Sequence, residues 1–232
     1  MTETNTKTWD KAASGDSYAE QRVSMVETQI RKRGVKDERV LRAMATVPRH
    51  EFIPAKSRGD AYADEPLPIG GGQTISQPYI VAAMTEALHL AGSEKVLDIG
   101  TGSGYQAAVL SLISREVYGV ECRSELARSA AELLQKLGFQ NVHVHCGDGS
   151  EGLREFAPYD AILVAAAAPS FPQPLLDQLS EGGRIIAPIG TEDHQQLILV
   201  TRHGNNCSME HREPCRFVPL IGRHGWRSWE TL

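Results

Sequence analysis

The chain has 232 residues, 41% hydrophobic and 23% charged, with a formal net charge of −5. That suits one large globular domain whose core needs neither disulfides nor metals. The acidic balance leaves no electrostatic footprint for nucleic acid, and no run of 18 apolar residues marks a membrane span.

Residues 1–18 are polar, lack a charged-then-apolar signal pattern, and are expected to form a disordered tail. In "AEQRVSMVETQIRKR", residues 19–33, Val23, Val26 and Ile30 recur at helical spacing and Gly34 supplies a stop. Its "RKR" end, 31–33, reads as a solvated helix terminus. "KDERVLRAMATVP" repeats the pattern with Val40, Leu41, Met44 and Val47 before Pro48. Arg49 to Gln77 is rich in Pro and Gly and is expected to be loop. Within it, "PIGGGQTISQP" (68–78) fits neither a strand nor a helix period. Alone, it reads as a linker or as part of a site.

From Pro78 the pattern changes. "YIVAAMTEALHLAG" predicts a helix closed by Gly92, followed by "KVLDIG" as a buried parallel strand. "YQAAVLSLIS" predicts helix, "EVYGVE" strand, "SELARSAAELLQKLG" helix and "NVHVHCGD" strand. "YDAILVAAAA" predicts strand, "PQPLLDQLSEGG" helix and "RIIAPIG" strand; "QQLILVTRHG" and "SMEHREPCRFVPLIG" close the chain as a two-stranded hairpin. The alternation implies an α/β fold, a doubly wound, mostly parallel sheet with helices on both faces and an N-terminal helical extension. The expected organisation is a tail (1–18), a helical and loop segment packed on the core (19–77), and the core itself (78–232), one compact domain overall.

"VLDIGTGSGYQAAVL" carries the chemistry. A strand runs into Gly100, Gly102 and Gly104, with Thr101 and Ser103 between them, and a helix follows. Ligands of open α/β sheets bind beyond the carboxyl ends of the strands. A dinucleotide fingerprint needs a third glycine at position 105, which is Tyr105, so the pyrophosphate pattern is not met. Three carboxylates end successive strands: Asp98, Glu121 and Asp148, the last after Gly147. A carboxylate after the second strand suits the two hydroxyls of a ribose, one beside the glycine loop an ammonium, and the third an adenine amino group. Together they describe adenosine joined to a cationic group without phosphates, which S-adenosylmethionine fits. Singly, each has a plain reading, a βα turn or a helix cap.

With these residues in view, the sequence resembles the protein-L-isoaspartate O-methyltransferases over roughly residues 20–225. "VLDIGTGSGYQAAVLS" is similar to the cofactor motif of the Rossmann-like class I methyltransferases at large. "LPIGGGQTISQPYIVAAMTEAL" resembles the stretch peculiar to the isoaspartyl family, and "RHEFIP", "GDG", "YDAILVAAAAP", "LSEGGRIIAPIG" and "RFVPLIGRHGW" resemble further blocks. Departures are small: Gly71 stands where a relative can carry a polar residue, and Ala167 and Ala168 lengthen a small-residue run. The resemblance implies methyl transfer from S-adenosylmethionine to the free α-carboxylate of L-isoaspartyl residues, and of D-aspartyl residues, in damaged proteins. It implies Ser76 as the active-site residue, orienting the carboxylate rather than attacking. It places Gln73, Thr74, Ile75, Ser76, Gly100 to Gly104, Glu121, Cys122, Gly147 and Asp148 against the cofactor, and Val218, Pro219, Leu220 and Ile221 as a segment enclosing the site. The expected setting is a cytoplasmic monomer with no metal, nucleic-acid or membrane partner. Two competing readings keep the fold: a methyltransferase acting on a small molecule or RNA, and a cofactor-binding protein without activity.

Other residues read more plainly. His143 and His145 share a strand face, as a partly exposed strand rather than a metal site. His50 reads as a packing or hydrogen-bonding residue at least as readily as a substrate contact. Trp226 and Trp229 read as an anchor for the C-terminus, and Leu126, Ala130, Leu133, Leu134 and Leu137 as a helix-packing stripe. Cys122, Cys146, Cys207 and Cys215 show no CxxC spacing and are expected to be reduced.

Overall fold

The computed structural model describes residues 18–204 and 206–227, so the expected tail over 1–17 and the expected Trp229 anchor lie outside the described residues. Helix α1 (Ala19–Met25) continues as a π turn over Val26–Ile30 and a 3-10 turn over Arg31–Arg33, and Gly34 ends the rod at φ 104°. Met25, Val26 and Ile30 are buried, but Val23, expected on the inner face, is 53% exposed. The inner stripe runs through Met25 instead, one turn from Gln29, whose amide donates to the Tyr62 carbonyl. Helix α2 (Glu38–Thr46) begins at Asp37, whose carboxylate accepts from the Arg39 N–H, and buries Val40, Leu41, Ala43 and Met44.

The segment expected to be loop is more ordered. It holds 3-10 turns at Arg49–Phe52 and Ala55–Asp60 and a small antiparallel hairpin, β1 (Leu67–Gly70) and β2 (Gln73–Ile75). Gly71 and Gly72, at φ 57° and 72°, make its two-residue turn. Two successive positive φ values are what a type I′ hairpin turn requires, which is why glycine stands at both places.

Helix α3 (Pro78–Ala87) starts with proline in the first turn, where no N–H is missed. It stops five residues short of Gly92, because His89 takes a left-handed φ of 50°. Strand β3 (Lys95–Ile99), helix α4 (Tyr105–Ser111), β4 (Glu116–Glu121), α5 (Ser124–Lys136), β5 (Val142–Cys146) and β6 (Tyr159–Val164) follow the expected alternation. Helix α6 is only Gln173–Asp177, and the "LSEGG" expected to finish it opens β7 (Leu179–Gly190) instead. Leu179 is buried opposite Tyr159 in register, with an irregularity before Ala161 that the two glycines accommodate. Strands β8 (Gln195–His203) and β9 (Asn206–Cys215) form the hairpin, and residues after Cys215 leave the sheet.

The seven strands lie in the order β5-β4-β3-β6-β7-β8-β9, all parallel up to β7, with β8 antiparallel to both neighbours. The chain winds outward from β3 through β4 to β5, then returns to β6 on the other side. The switch point is therefore the carboxyl end of β3, where a ligand crevice is expected. One core joins α1 through α5 to one sheet face, from Met25 to Leu199. The opposite face is covered more thinly, by α6, the 3-10 turns and Leu220.

Candidate active site

At the switch point Gly100, Gly102 and Gly104 take φ of 80°, 55° and 91°. The loop is packed tightly from outside: a Cβ on Gly104 would lie 3.0 Å from Leu134 Cδ1, and one on Gly102 3.2 Å from Ile69 Cδ1. Glu121, 5% exposed, holds the loop from β4, its Oε2 accepting from the Gly102 N–H and its Oε1 from the Arg123 N–H, both at 2.9 Å. The Cys122 thiol also donates to Oε1, at 3.5 Å, so of the carboxylate's about four lone-pair sites one remains open, on Oε2.

Two cavities adjoin here. A cavity of about 340 Å³ lies beside the glycine loop, lined by Gln73, Gly100, Gly102, Glu121, Cys122 and Ile221 among others. A larger one of about 660 Å³ is lined by Ser76, Tyr79, Glu213, Arg216, Phe217 and Trp226 among others. Thr74, Ala165, Val218 and Pro219 line both. A narrow pit of about 40 Å³ between the strip and the glycine loop is lined by Thr74, Ile75, Ser76, Thr101 and Ser103. Ser76 therefore stands where the large cavity meets the pit, and its hydroxyl makes no hydrogen bond within the described residues.

The C-terminal segment is strapped across this junction. Ala167 N–H donates to the Val218 carbonyl at 2.8 Å and Leu220 N–H to the Ala167 carbonyl at 2.7 Å. Val218, Pro219, Leu220 and Ile221, expected around substrate, all line the smaller cavity, and only Val218 and Pro219 also reach the larger.

Two expected site carboxylates are otherwise engaged or enclosed. Asp148 accepts from the Ser150 N–H and hydroxyl and from the Arg223 N–H, at 2.9, 2.7 and 2.7 Å, so it latches the C-terminal strap. Gly147, beside it, lines neither of the two cavities. Asp98 is fully buried and neither carboxylate oxygen has a partner. Burial pushes its pKa up to about 7, and the nearby Glu121 charge adds to the rise. Between its ordinary value of 3.8 and about 7, the unfolded chain has released this proton while the folded chain keeps it. Asp98 therefore contributes falling stability as pH rises through that window, and a level penalty above it. Asp98→Asn is expected to gain on the wild type as pH rises from about 4 to about 7, read as the difference between their melting curves; parallel curves across that range would contradict it.

Some contributors carried no warning in the sequence. Arg33, read as part of a solvated terminus, meets Asp64 at 2.5 Å and lies 3.4 Å over the Tyr79 ring centroid. Asp64 also accepts from the Tyr79 N–H at 2.9 Å, which closes the base of the segment that carries Gln73 to Ser76. Ile69 lies within the quoted glycine-rich block, and Arg123 directly follows the Glu121–Cys122 pair, so those two were within reach. His50 is buried, hydrogen-bonded to the Tyr62 hydroxyl at 2.7 Å and stacked on Tyr18, a packing role. His143 and His145 gather around Tyr118, and among the described residues no group of three His, Cys, Asp or Glu is placed to hold a metal.

The sequence model of the family described as "Protein-L-isoaspartate(D-aspartate) O-methyltransferase (PCMT)" matches residues 20–225. A protein-L-isoaspartate O-methyltransferase of Koribacter versatilis is 52% identical over 217 residues, covering 93% of this chain and 98% of the relative. One of Roseiflexus castenholzii is 54% identical over 209 residues, covering 90% and 95%. Among solved structures, a protein-L-isoaspartate O-methyltransferase superposes with a TM-score of 0.78 at 31% identity, covering 89% of this chain and 67% of that one. A Plasmodium falciparum protein of the same name, solved in complex with S-adenosyl-L-homocysteine, gives a TM-score of 0.73 at 27% identity, covering 86% and 98%.

Proposed function

The chain belongs to the protein-L-isoaspartate(D-aspartate) O-methyltransferase family, and we infer that its two adjoining cavities divide cofactor from substrate. It methylates the free α-carboxylate of L-isoaspartyl residues in damaged proteins and peptides, with S-adenosylmethionine as the donor. The methyl ester then closes to a succinimide away from the enzyme, and hydrolysis returns part of it to ordinary aspartate.

When bound, S-adenosylmethionine supplies a methyl group on a positively charged sulfur. The residues present fit it: positive-φ glycines leave room at the loop, and Glu121 keeps acceptor capacity facing the smaller cavity. On this reading Gln73, Thr74, Ile75, Gly100 to Gly104, Glu121 and Cys122 hold it. Asp98 acts from beneath the loop, and Gly147 and Asp148 act through the strap.

The protein's own task is placement. A substrate carboxylate with a pKa near ~4 is ionised at neutral pH, so no general base is needed. Ser76 donates a hydrogen bond that aims one carboxylate oxygen, and Val218 and Pro219 wall both cavities where the reacting groups meet. The unspent Ser76 hydroxyl at the junction carries this reading. D-aspartyl acceptance, which the family description includes, monomeric action and a cytoplasmic setting belong to the same proposal, and four unbridged cysteines suit the reducing setting it assumes. The test is methyl transfer to an isoaspartyl peptide followed by mild alkali: a carboxyl ester releases methanol, whereas stable label would point to a different acceptor.

A further inference from the structure

Trp226, expected to anchor the C-terminus, is held by its backbone and not by its ring. The strap that carries it ends in a tight turn. Asp148 Oδ2 accepts from the Arg223 N–H at 2.7 Å, and the Ser150 hydroxyl oxygen accepts from the His224 N–H at 2.9 Å. The Trp226 N–H then donates to the Leu220 carbonyl at 2.8 Å, and the Trp226 carbonyl accepts from the Gly222 N–H at 3.0 Å. Only glycine fits at two places in this turn: a Cβ on Gly222 would lie on Asp148 Oδ1, and one on Gly225 on the Leu220 carbonyl oxygen. The indole is left unspent. It lines the larger cavity, is partly buried, and joins neither core cluster. Among the described residues it has no stacked ring, no cation over its face and no partner for its N–H. Tyr79 and Phe217, the other aromatic residues lining that cavity, both pack against the core. A ring that only anchored the chain would be spent on the core in the same way.

Resting on the function proposed above, we propose that Trp226 is a substrate-binding residue whose indole face receives an apolar side chain next to the isoaspartyl residue. The occupant follows from the family's activity: an isoaspartyl residue enters the cavity with polypeptide on both sides of it. The cavity of about 660 Å³ is in the range that encloses a drug-sized ligand, so it takes more than the one residue whose carboxylate meets Ser76. An indole offers a large, rigid apolar surface at little cost in side-chain freedom. The latched turn has already fixed its backbone, so little ordering is left for binding to pay.

The experiment measures kcat/KM on short isoaspartyl peptides with glycine, leucine or phenylalanine beside the isoaspartyl residue, on one side or the other. Glu192, Glu213 and Arg216 also line the cavity, so no other side chain in the peptides is charged. Leucine or phenylalanine on one side is expected to raise kcat/KM about tenfold over glycine, through KM at unchanged kcat. Trp226→Ala is expected to shrink that ratio to about twofold or less, and Trp226→Phe, which keeps a ring, to hold it at about fivefold or more. A partly unfolded variant loses the same share of rate on every peptide, so the ratio reads the contact and not the fold. Equal kcat/KM for the glycine and apolar peptides in the wild type, or a preference that survives in Trp226→Ala, would overturn the proposal. Trp226→Gln, which keeps bulk and loses the apolar face, decides in its place should Trp226→Ala not fold. No transfer to any of the peptides would instead refute the function itself, and the role of Trp226 with it.

Discussion

Glu121→Ala will weaken S-adenosylmethionine binding by about a hundredfold. Glu121 is buried at the end of β4, and its two oxygens already fix the Gly102 and Arg123 N–H groups at 2.9 Å. Removing it takes away the acceptor site left for the ribose and frees the loop that shapes the smaller cavity. Hydrogen bonds to a charged group contribute ~1.5–3 kcal/mol each, so losing that one together with the Gly102 bond costs about 3 kcal/mol or more, about a hundredfold in affinity. Glu121→Gln keeps one carbonyl acceptor and is expected to lose about tenfold. Calorimetric titration with S-adenosylmethionine measures both, and unchanged affinity in the alanine variant would remove Glu121 from the cofactor site.

Ser76→Ala acts on the other side of the junction. Its hydroxyl has no internal partner to lose, so the fold and the smaller cavity should be little affected. One hydrogen bond to an ionised carboxylate is at stake, ~1.5–3 kcal/mol, which predicts turnover on an isoaspartyl peptide lower by about 10- to 100-fold. Cofactor affinity should stay within about twofold, and Ser76→Thr, which keeps a hydroxyl, should recover part of the rate. Full turnover in the alanine variant would take Ser76 out of the mechanism.

The alternation from α3 to β6 was legible because each element carries a clear period, and β3 and β5 run into a glycine while β4 and α5 end on a charged residue. The glycine loop and the Glu121 strand end lie within that legible region. What escaped has physical reasons. The β1–β2 hairpin is made of strands of four and three residues around glycines, too short to show alternation. "LSEGG" has the composition of a helix end, but Leu179 gains more by lying buried beside Tyr159 in the sheet. The wall of the larger cavity is assembled at long range: Tyr79 and Glu213 meet across 134 positions of sequence. Asp148 ends its strand as expected, yet its lone pairs go to Ser150 and Arg223, a choice set by where the strap returns.

The most direct test of the account is the initial rate of methyl transfer to two peptides that differ only in an isoaspartyl or an ordinary aspartyl linkage. The free α-carboxylate that Ser76 is proposed to orient exists only in the first. The account predicts base-labile methylation of the isoaspartyl peptide at a rate at least about 100-fold above its aspartyl twin. Equal rates on the two peptides would contradict it.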